Sequence, residues 1–145
     1  MGSRREGGGQ RNMRVAMLAL GLLLGACSTD DTAYYAGRGT KRHSGQRAGE
    51  LETGTWTYWY ENGQVRERGE YADGRRTGLW TQWHKNGQVL SRGTRVFDEE
   101  TGGALRHGPW VFWHENGTLR SRGSYERGEE VGTWERWTEK GAVED

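Results

Sequence analysis

Gly54-Thr55-Trp56-Thr57-Tyr58-Trp59-Tyr60-Glu61-Asn62-Gly63 is the stretch whose reading decides the fold. It returns as Gly78-Leu79-Trp80-Thr81-Gln82-Trp83-His84-Lys85-Asn86-Gly87 and as Gly108-Pro109-Trp110-Val111-Phe112-Trp113-His114-Glu115-Asn116-Gly117. A fourth copy, Gly132 to Gly141, keeps Gly132, Trp134, Trp137 and Gly141 and has Lys140 in place of the Asn. All eight tryptophans of the chain fall in this G-x-W-x-x-W-x-x-N-G frame. The copies start 24, 30 and 24 residues apart, so the second unit carries a six-residue insertion, Asp98 to Gly103. Spacings of this size mark an array of small units that bury a core only by stacking on one another.

The unit reads as a β-hairpin. Trp, Tyr and Thr favour strands, and Asn-Gly is the strongest short turn signal because a type I′ turn needs positive φ at both central residues. A two-residue turn at Asn62-Gly63 sets Glu61 opposite Gln64, Tyr60 opposite Val65, Trp59 opposite Arg66 and Trp56 opposite Gly69. The same rule sets Trp80 opposite Gly93 and Trp110 opposite Gly123. A ring facing a glycine covers bare backbone across the strand, which gives Gly69, Gly93 and Gly123 a reason to be there. Alternation puts Trp56, Tyr58, Tyr60, Val65 and Tyr71 on one face, the richer in apolar groups and therefore the expected core side. Thr57, Trp59, Arg66 and Arg68 fall on the other. There Trp59 beside Arg66 and Trp113 beside Arg120 are expected cation–π pairs, and with Trp83 they form the candidate binding surface. The expected fold is all-β: tandem antiparallel β-hairpin repeats over residues 51–145, with units starting near 54, 78, 108 and 132, in an elongated single-layer twisted sheet.

The chain upstream carries an address. Arg4, Arg5, Arg11 and Arg14 form a positive segment, and Val15 to Leu24 is an apolar run of ten residues. That is too short to span a bilayer, which takes about 20 residues, and suits a signal peptide over 1–26. The run ends Leu24-Gly25-Ala26-Cys27, with the only cysteine of the chain. Leu three residues before a lone Cys, with small residues between, resembles the lipobox of bacterial lipoproteins. The resemblance implies that Cys27 is the lipid attachment site, cut free at its amino side and acylated, with Ser28 after it favouring the outer membrane, facing the periplasm or the cell surface. The other reading is an ordinary signal peptide with an incidental Cys. Residues 27–50, rich in Gly, Ser, Thr, Asp and Arg and lacking apolar periodicity, are expected to be a lipidated flexible linker.

The frame G-x-W-x-x-W-x-x-N-G, followed by a glycine and an aromatic, resembles the bacterial MORN-repeat variant over about residues 52–145. That family includes proteins labelled YwqK-type antitoxins. The resemblance implies an elongated hairpin array used for binding or scaffolding. Arg95 departs from the pattern by occupying the slot of Tyr71 and Tyr125, and the insertion Asp98 to Gly103 replaces a tight Asp73-Gly74 turn.

Composition limits the chemistry. Beyond residue 26 there are 17 basic and 19 acidic residues, a net of −2, so no strongly basic surface points to nucleic acid. There is no isoleucine, and the eight Trp and six Tyr are what set the chain apart from disordered ones. His84 and His114 stand in one repeat column with Tyr60. Like positions two strands apart lie roughly 9–10 Å from each other, too far to share a metal bonded at about 2 Å. No Ser/His/Asp or Cys/His set converges, so no enzyme, cofactor or metal site is expected. The expected function is a lipid-anchored envelope module presenting its sheet to a protein partner. The alternatives are an immunity or antitoxin-type protein neutralising a toxin, and an envelope glycan-binding module that stacks its indoles on sugars.

Overall fold

The computed structural model describes residues 27–144. The signal peptide expected over residues 1–26 lies outside the described residues. Among these, nine antiparallel strands form one open sheet in sequence order. They are β1 (Ser28–Tyr34), β2 (Lys41–Ala48), β3 (Leu51–Trp59), β4 (Val65–Ala72), β5 (Arg75–Trp83), β6 (Val89–Asp98), β7 (Gly103–Trp113), β8 (Leu119–Glu126) and β9 (Glu129–Arg136). Every strand pairs with its chain neighbours, so the architecture is a run of hairpins with no crossover.

The register expected at the first tryptophans is present: Trp56 pairs with Gly69, Trp80 with Gly93 and Trp110 with Gly123. Nearer the turn it slips by one. Tyr58 pairs with Glu67 but Trp59 pairs with Val65, leaving Arg66 as the extra residue of a bulge. Leu90 and Arg120 are the matching extra residues in the next two units. The cause is the turn. Gly63 N–H donates to Tyr60 C=O and Tyr60 N–H to Gln64 C=O, and Gly63 takes φ 88° while Asn62 stays at negative φ. The loop is therefore three residues, a type I turn closed by a left-handed glycine, and not the two-residue type I′ turn expected. The type I′ geometry sits at the opposite end of the sheet, at Asp73-Gly74 and Arg127-Gly128, where both residues have positive φ.

The slip corrects two face assignments. Val65 joins Trp59, and Arg66 joins Tyr58, its guanidinium 5.6 Å from the Tyr58 ring centroid. Arg120 likewise lies 5.4 Å from the ring of Phe112. The expected Trp59–Arg66 and Trp113–Arg120 pairs do not form.

The core lies on the face of the first tryptophans. Trp56, Trp80 and Trp110 are each 1% exposed; edge-on contacts with Tyr71 join Trp56 to Trp80, and edge-on contacts with Tyr125 join Trp110 to Trp134. Each ring covers a glycine, but that of the preceding strand and not that of its own hairpin. Trp56 lies on Gly45, Trp80 on Gly69, Trp110 on Gly93 and Trp134 on Gly123, each ring occupying the space a Cβ would need. The first glycine of the frame makes this possible. Gly54, Gly78, Gly108 and Gly132 take φ between 65° and 67°, a left-handed conformation that costs glycine little. The strand arches there, so that Gly78, Leu79 and Trp80 pass over the single residue Gly69 between the pairs Arg68–Thr81 and Glu70–Thr77.

Residues 27–50 are not the linker expected. β1 and β2 form a further hairpin that supplies the seat for Trp56. Polar composition suggested a tether because this unit has no tryptophan of its own. Yet Gly45 precedes Gly69 by the 24-residue period, and Tyr35 takes the place of Tyr60, its hydroxyl donating to Trp59 C=O at 2.7 Å.

That bond recurs between each pair of successive units. Tyr60 Oη donates to Trp83 C=O (2.8 Å), His84 Nε2 to Trp113 C=O (3.0 Å) and His114 Nε2 to Trp137 C=O (2.8 Å). Since a carbonyl only accepts, both imidazoles carry their proton on Nε2. Asn62, Asn86 and Asn116 add a second row, donating through Nδ2 to the carbonyls of Lys85, Glu115 and Glu139 in the next hairpin. The histidines and asparagines thus tie unit to unit.

Candidate functional site

The face opposite the core carries the second tryptophans. Trp59, Trp83, Trp113 and Trp137 are all half-buried, each beside the aliphatic residue it pairs with: Val65, Val89, Leu119 and Val143. Because like positions in successive hairpins are two strands apart, the indoles repeat every 9–10 Å or so along the sheet. Beside this stripe runs a row of alternating Thr or Val and Arg. Thr57 pairs with Arg68, Arg68 with Thr81, Thr81 with Arg92, Arg92 with Val111 and Val111 with Arg122.

Arg68 stands on this face as expected, joined by Arg92 and Arg122, while Arg66 and Arg120 do not. Arg68, Arg92 and Arg122 are exposed. Arg122 is ion-paired with Glu135 and lies 5.5 Å from the Trp137 centroid. Arg68 and Arg92 have no carboxylate partner among the described residues. Arg68 borders three shallow hollows: one of about 420 Å³ with Thr57 and Trp59, one of about 240 Å³ with Val65 and Trp83, and one of about 230 Å³ with Leu79 and Trp83. Arg68 follows from strand alternation, and Arg92 and Arg122 follow from it by the repeat; only residues nearer the turn, such as Arg66 and Arg120, depend on placing the bulge. Without it, parity is lost at the turn end of every hairpin.

Indole surfaces, guanidinium donors and threonine hydroxyls offer stacking, charge and hydrogen bonds to an extended partner. Among the described residues, no group of three or more His, Cys, Asp or Glu side chains is placed to hold a metal ion.

On the core face one carboxylate is buried. Glu67, 6% exposed, receives both terminal nitrogens of Arg76 at 3.0 Å, and Arg76 stacks 4.3 Å from the Trp80 centroid. Burial pushes the Glu67 carboxyl up, but the hydrogen bonds and charge of Arg76, helped by Gln82 and Arg66, hold it below its ordinary value of 4.5. Burial also opposes the Arg76 charge, and the Glu67 carboxylate raises its proton affinity above normal regardless. A carboxyl with a depressed folded pKa stabilises fully above its unfolded value and loses that contribution as pH falls through the folded value. Glu67→Gln is expected to lose about 1.5–3 kcal/mol at neutral pH. Its denaturation curve should converge on that of the wild type below pH 4.5. Urea titrations at several pH values check this, and a constant gap at all pH would contradict it.

Cys27 is exposed and immediately precedes β1. A group attached there joins the edge of the sheet directly, with no intervening tether.

Residues 52–73, 76–96 and 106–127 match the family model described as MORN repeat variant. The three matches cover the first three tryptophan frames and stop short of the β1–β2 hairpin and of the last frame. Comparison with curated proteins and with solved structures returns no match.

Proposed function

We propose that this array of MORN-variant repeats is an envelope binding module, anchored to a bilayer by an acylated Cys27 and docking a protein partner with acidic side chains on the Trp59–Trp83–Trp113–Trp137 face. One observation carries the reading: a regular, half-exposed indole stripe lies beside two arginines, Arg68 and Arg92, that have no carboxylate of their own among the described residues. Exposed aromatic residues with arginine are the usual anchors of protein interfaces, and uncompensated guanidinium groups favour acidic partners. With Cys27 adjoining β1, the anchored sheet starts at the membrane surface and β9 becomes its far end. Acyl chains stabilise such an anchor by about 0.8 kcal/mol per buried CH₂.

The test is capture from detergent-solubilised envelopes, with fractionation of the same cells. Cys27→Ser should move the protein to the soluble fraction. Trp83→Ala and Arg92→Glu should each lose the captured partner while melting as the wild type does. A Cys27→Ser protein that stays membrane-bound with its leader removed would sink the anchor, and capture undiminished in both face variants would sink the docking face. The even spacing of the rings favours a second reading, stacking on a repeating glycan. Pulldown on peptidoglycan that disappears in Trp59→Ala would select it.

A further inference from the structure

Two of the places where the chain breaks its own repeat are brought together by the fold on the core face. The first break is Arg95 in the slot of Tyr71 and Tyr125. The second is the insertion, which lengthens the β6–β7 hairpin by the pairs Phe97–Ala104 and Asp98–Gly103, beyond Val96–Leu105, the counterpart of Ala72–Arg75. Phe97 and Ala104 of that extension, with Tyr71, Arg75 and Arg76 of the preceding unit, line a hollow of about 270 Å³. Arg95 reaches its rim, donating from Nη1 to Ala104 C=O at 2.9 Å.

In the other slots of this row, tyrosine and arginine complement each other. Arg76 Nε donates to Tyr71 Oη at 3.0 Å, and Arg106 Nη1 to Tyr125 Oη at 3.1 Å. Arg95 instead pairs in register with Arg106 and stands near Arg76. Glu67 neutralises Arg76, whereas Arg75, Arg95 and Arg106 have no carboxylate partner among the described residues. The nearby acids of the insertion are engaged elsewhere, Asp98 and Glu100 both bonding Arg127. Burial, and then the charges of Arg76 and Arg106, lower the proton affinity of Arg95. Holding these groups together costs free energy that a bound anion would relieve.

We propose that this hollow is an oxyanion site taking the phosphate group of a small soluble ligand. It lies on the opposite face from the docking stripe and is independent of that reading. Guanidinium forks match phosphate oxygens in plane and spacing. Two uncompensated cations, Arg75 in the wall and Arg95 at the rim, call for a dianion, where a single carboxylate leaves half of the charge unmatched; Arg106 is turned to Tyr125 and does not line the hollow. The Arg75 guanidinium is already held 4.0 Å from the Phe97 centroid, and the Tyr71 and Phe97 rings offer apolar walls to whatever carries the phosphate.

The test is a titration of the full-length chain with inorganic phosphate, then with glycerol phosphate, at constant ionic strength, following backbone amide shifts. Saturable shifts should appear at Gly74, Arg76, Phe97 and Ala104. Arg95→Tyr, which restores the repeat residue and so spares the fold, should weaken binding by about tenfold or more. Arg75→Gln should weaken it too, and Arg92→Gln, on the other face, should not. No saturable response in the wild type, an Arg95→Tyr protein that binds as the wild type does, or equal weakening by Arg92→Gln overturns the site. Phosphatidylcholine vesicles doped with phosphatidate complete the series: binding to these alone, with no response to soluble phosphate, overturns the small-ligand assignment.

Discussion

Trp80→Ala is expected to lose about 3–5 kcal/mol and to split the thermal transition in two. The ring is 1% exposed. It belongs to the second frame but sits on Gly69 of the first, 5.4 Å from the Tyr71 centroid and 4.3 Å from the Arg76 guanidinium. Its Nε1 donates to Thr77 C=O at 3.0 Å, so truncation also removes that carbonyl's side-chain donor. In a linear array each unit leans only on its neighbours, and stability is a sum of unit and interface contributions. Total stabilities of 5–15 kcal/mol leave little after such a loss. Because Trp80 fills the junction, the strands before it and those after it should melt separately. Calorimetry with fluorescence of the remaining tryptophans reads this directly, and a single cooperative transition at an unchanged Tm would contradict it.

Gly93→Val is expected to be comparably damaging, at about 3 kcal/mol or more, for the opposite reason. The φ of Gly93 is not positive, so its backbone tolerates a side chain. The obstacle is the Trp110 ring, whose Cδ2 lies 2.2 Å from where a Cβ would stand. The ring must leave its seat, and with it go the stacking on Phe112 and the bond from Trp110 Nε1 to Thr94 C=O. The pair is coupled, which a double-mutant cycle exposes. Gly93→Ala should be harmful in the wild type and near neutral, or stabilising, in a Trp110→Ala background, because glycine without a covering ring only weakens a strand. Additive effects in that cycle would show that ring and glycine do not meet.

Much of this architecture is written plainly in the frame. The pairing of Trp56 with Gly69 follows from period and register, and the burial of Trp56 with Tyr71 follows from alternation. The slip at the turn was not legible, because Asn-Gly serves both a type I′ turn and the type I turn closed by Gly63. That one residue decides whether Arg66 or Val65 stands beside Trp59. Nor does pairing reveal ring direction: Trp56 pairs with Gly69 yet covers Gly45, since the arch at Gly54 tips it backwards. The β1–β2 hairpin was hidden because it contributes a seat and no tryptophan, leaving only Gly45 and Tyr35 as signs of the repeat. Arg95 and the insertion were visible as departures one by one. That they border one hollow depends on the extra length of β6 and β7, which only the folded chain displays.

The most direct measurement is the ring-current shift of four glycines. With Trp56, Trp80, Trp110 and Trp134 seated on Gly45, Gly69, Gly93 and Gly123, the Hα signals of these glycines should lie well upfield of ordinary strand glycines. Replacing Trp110 by Leu should return Gly93 to the ordinary range and leave Gly123, its register partner, upfield. Ordinary shifts at all four glycines, or a Trp110→Leu protein in which Gly123 moves and Gly93 does not, would contradict the unit-to-unit stacking on which the fold is built.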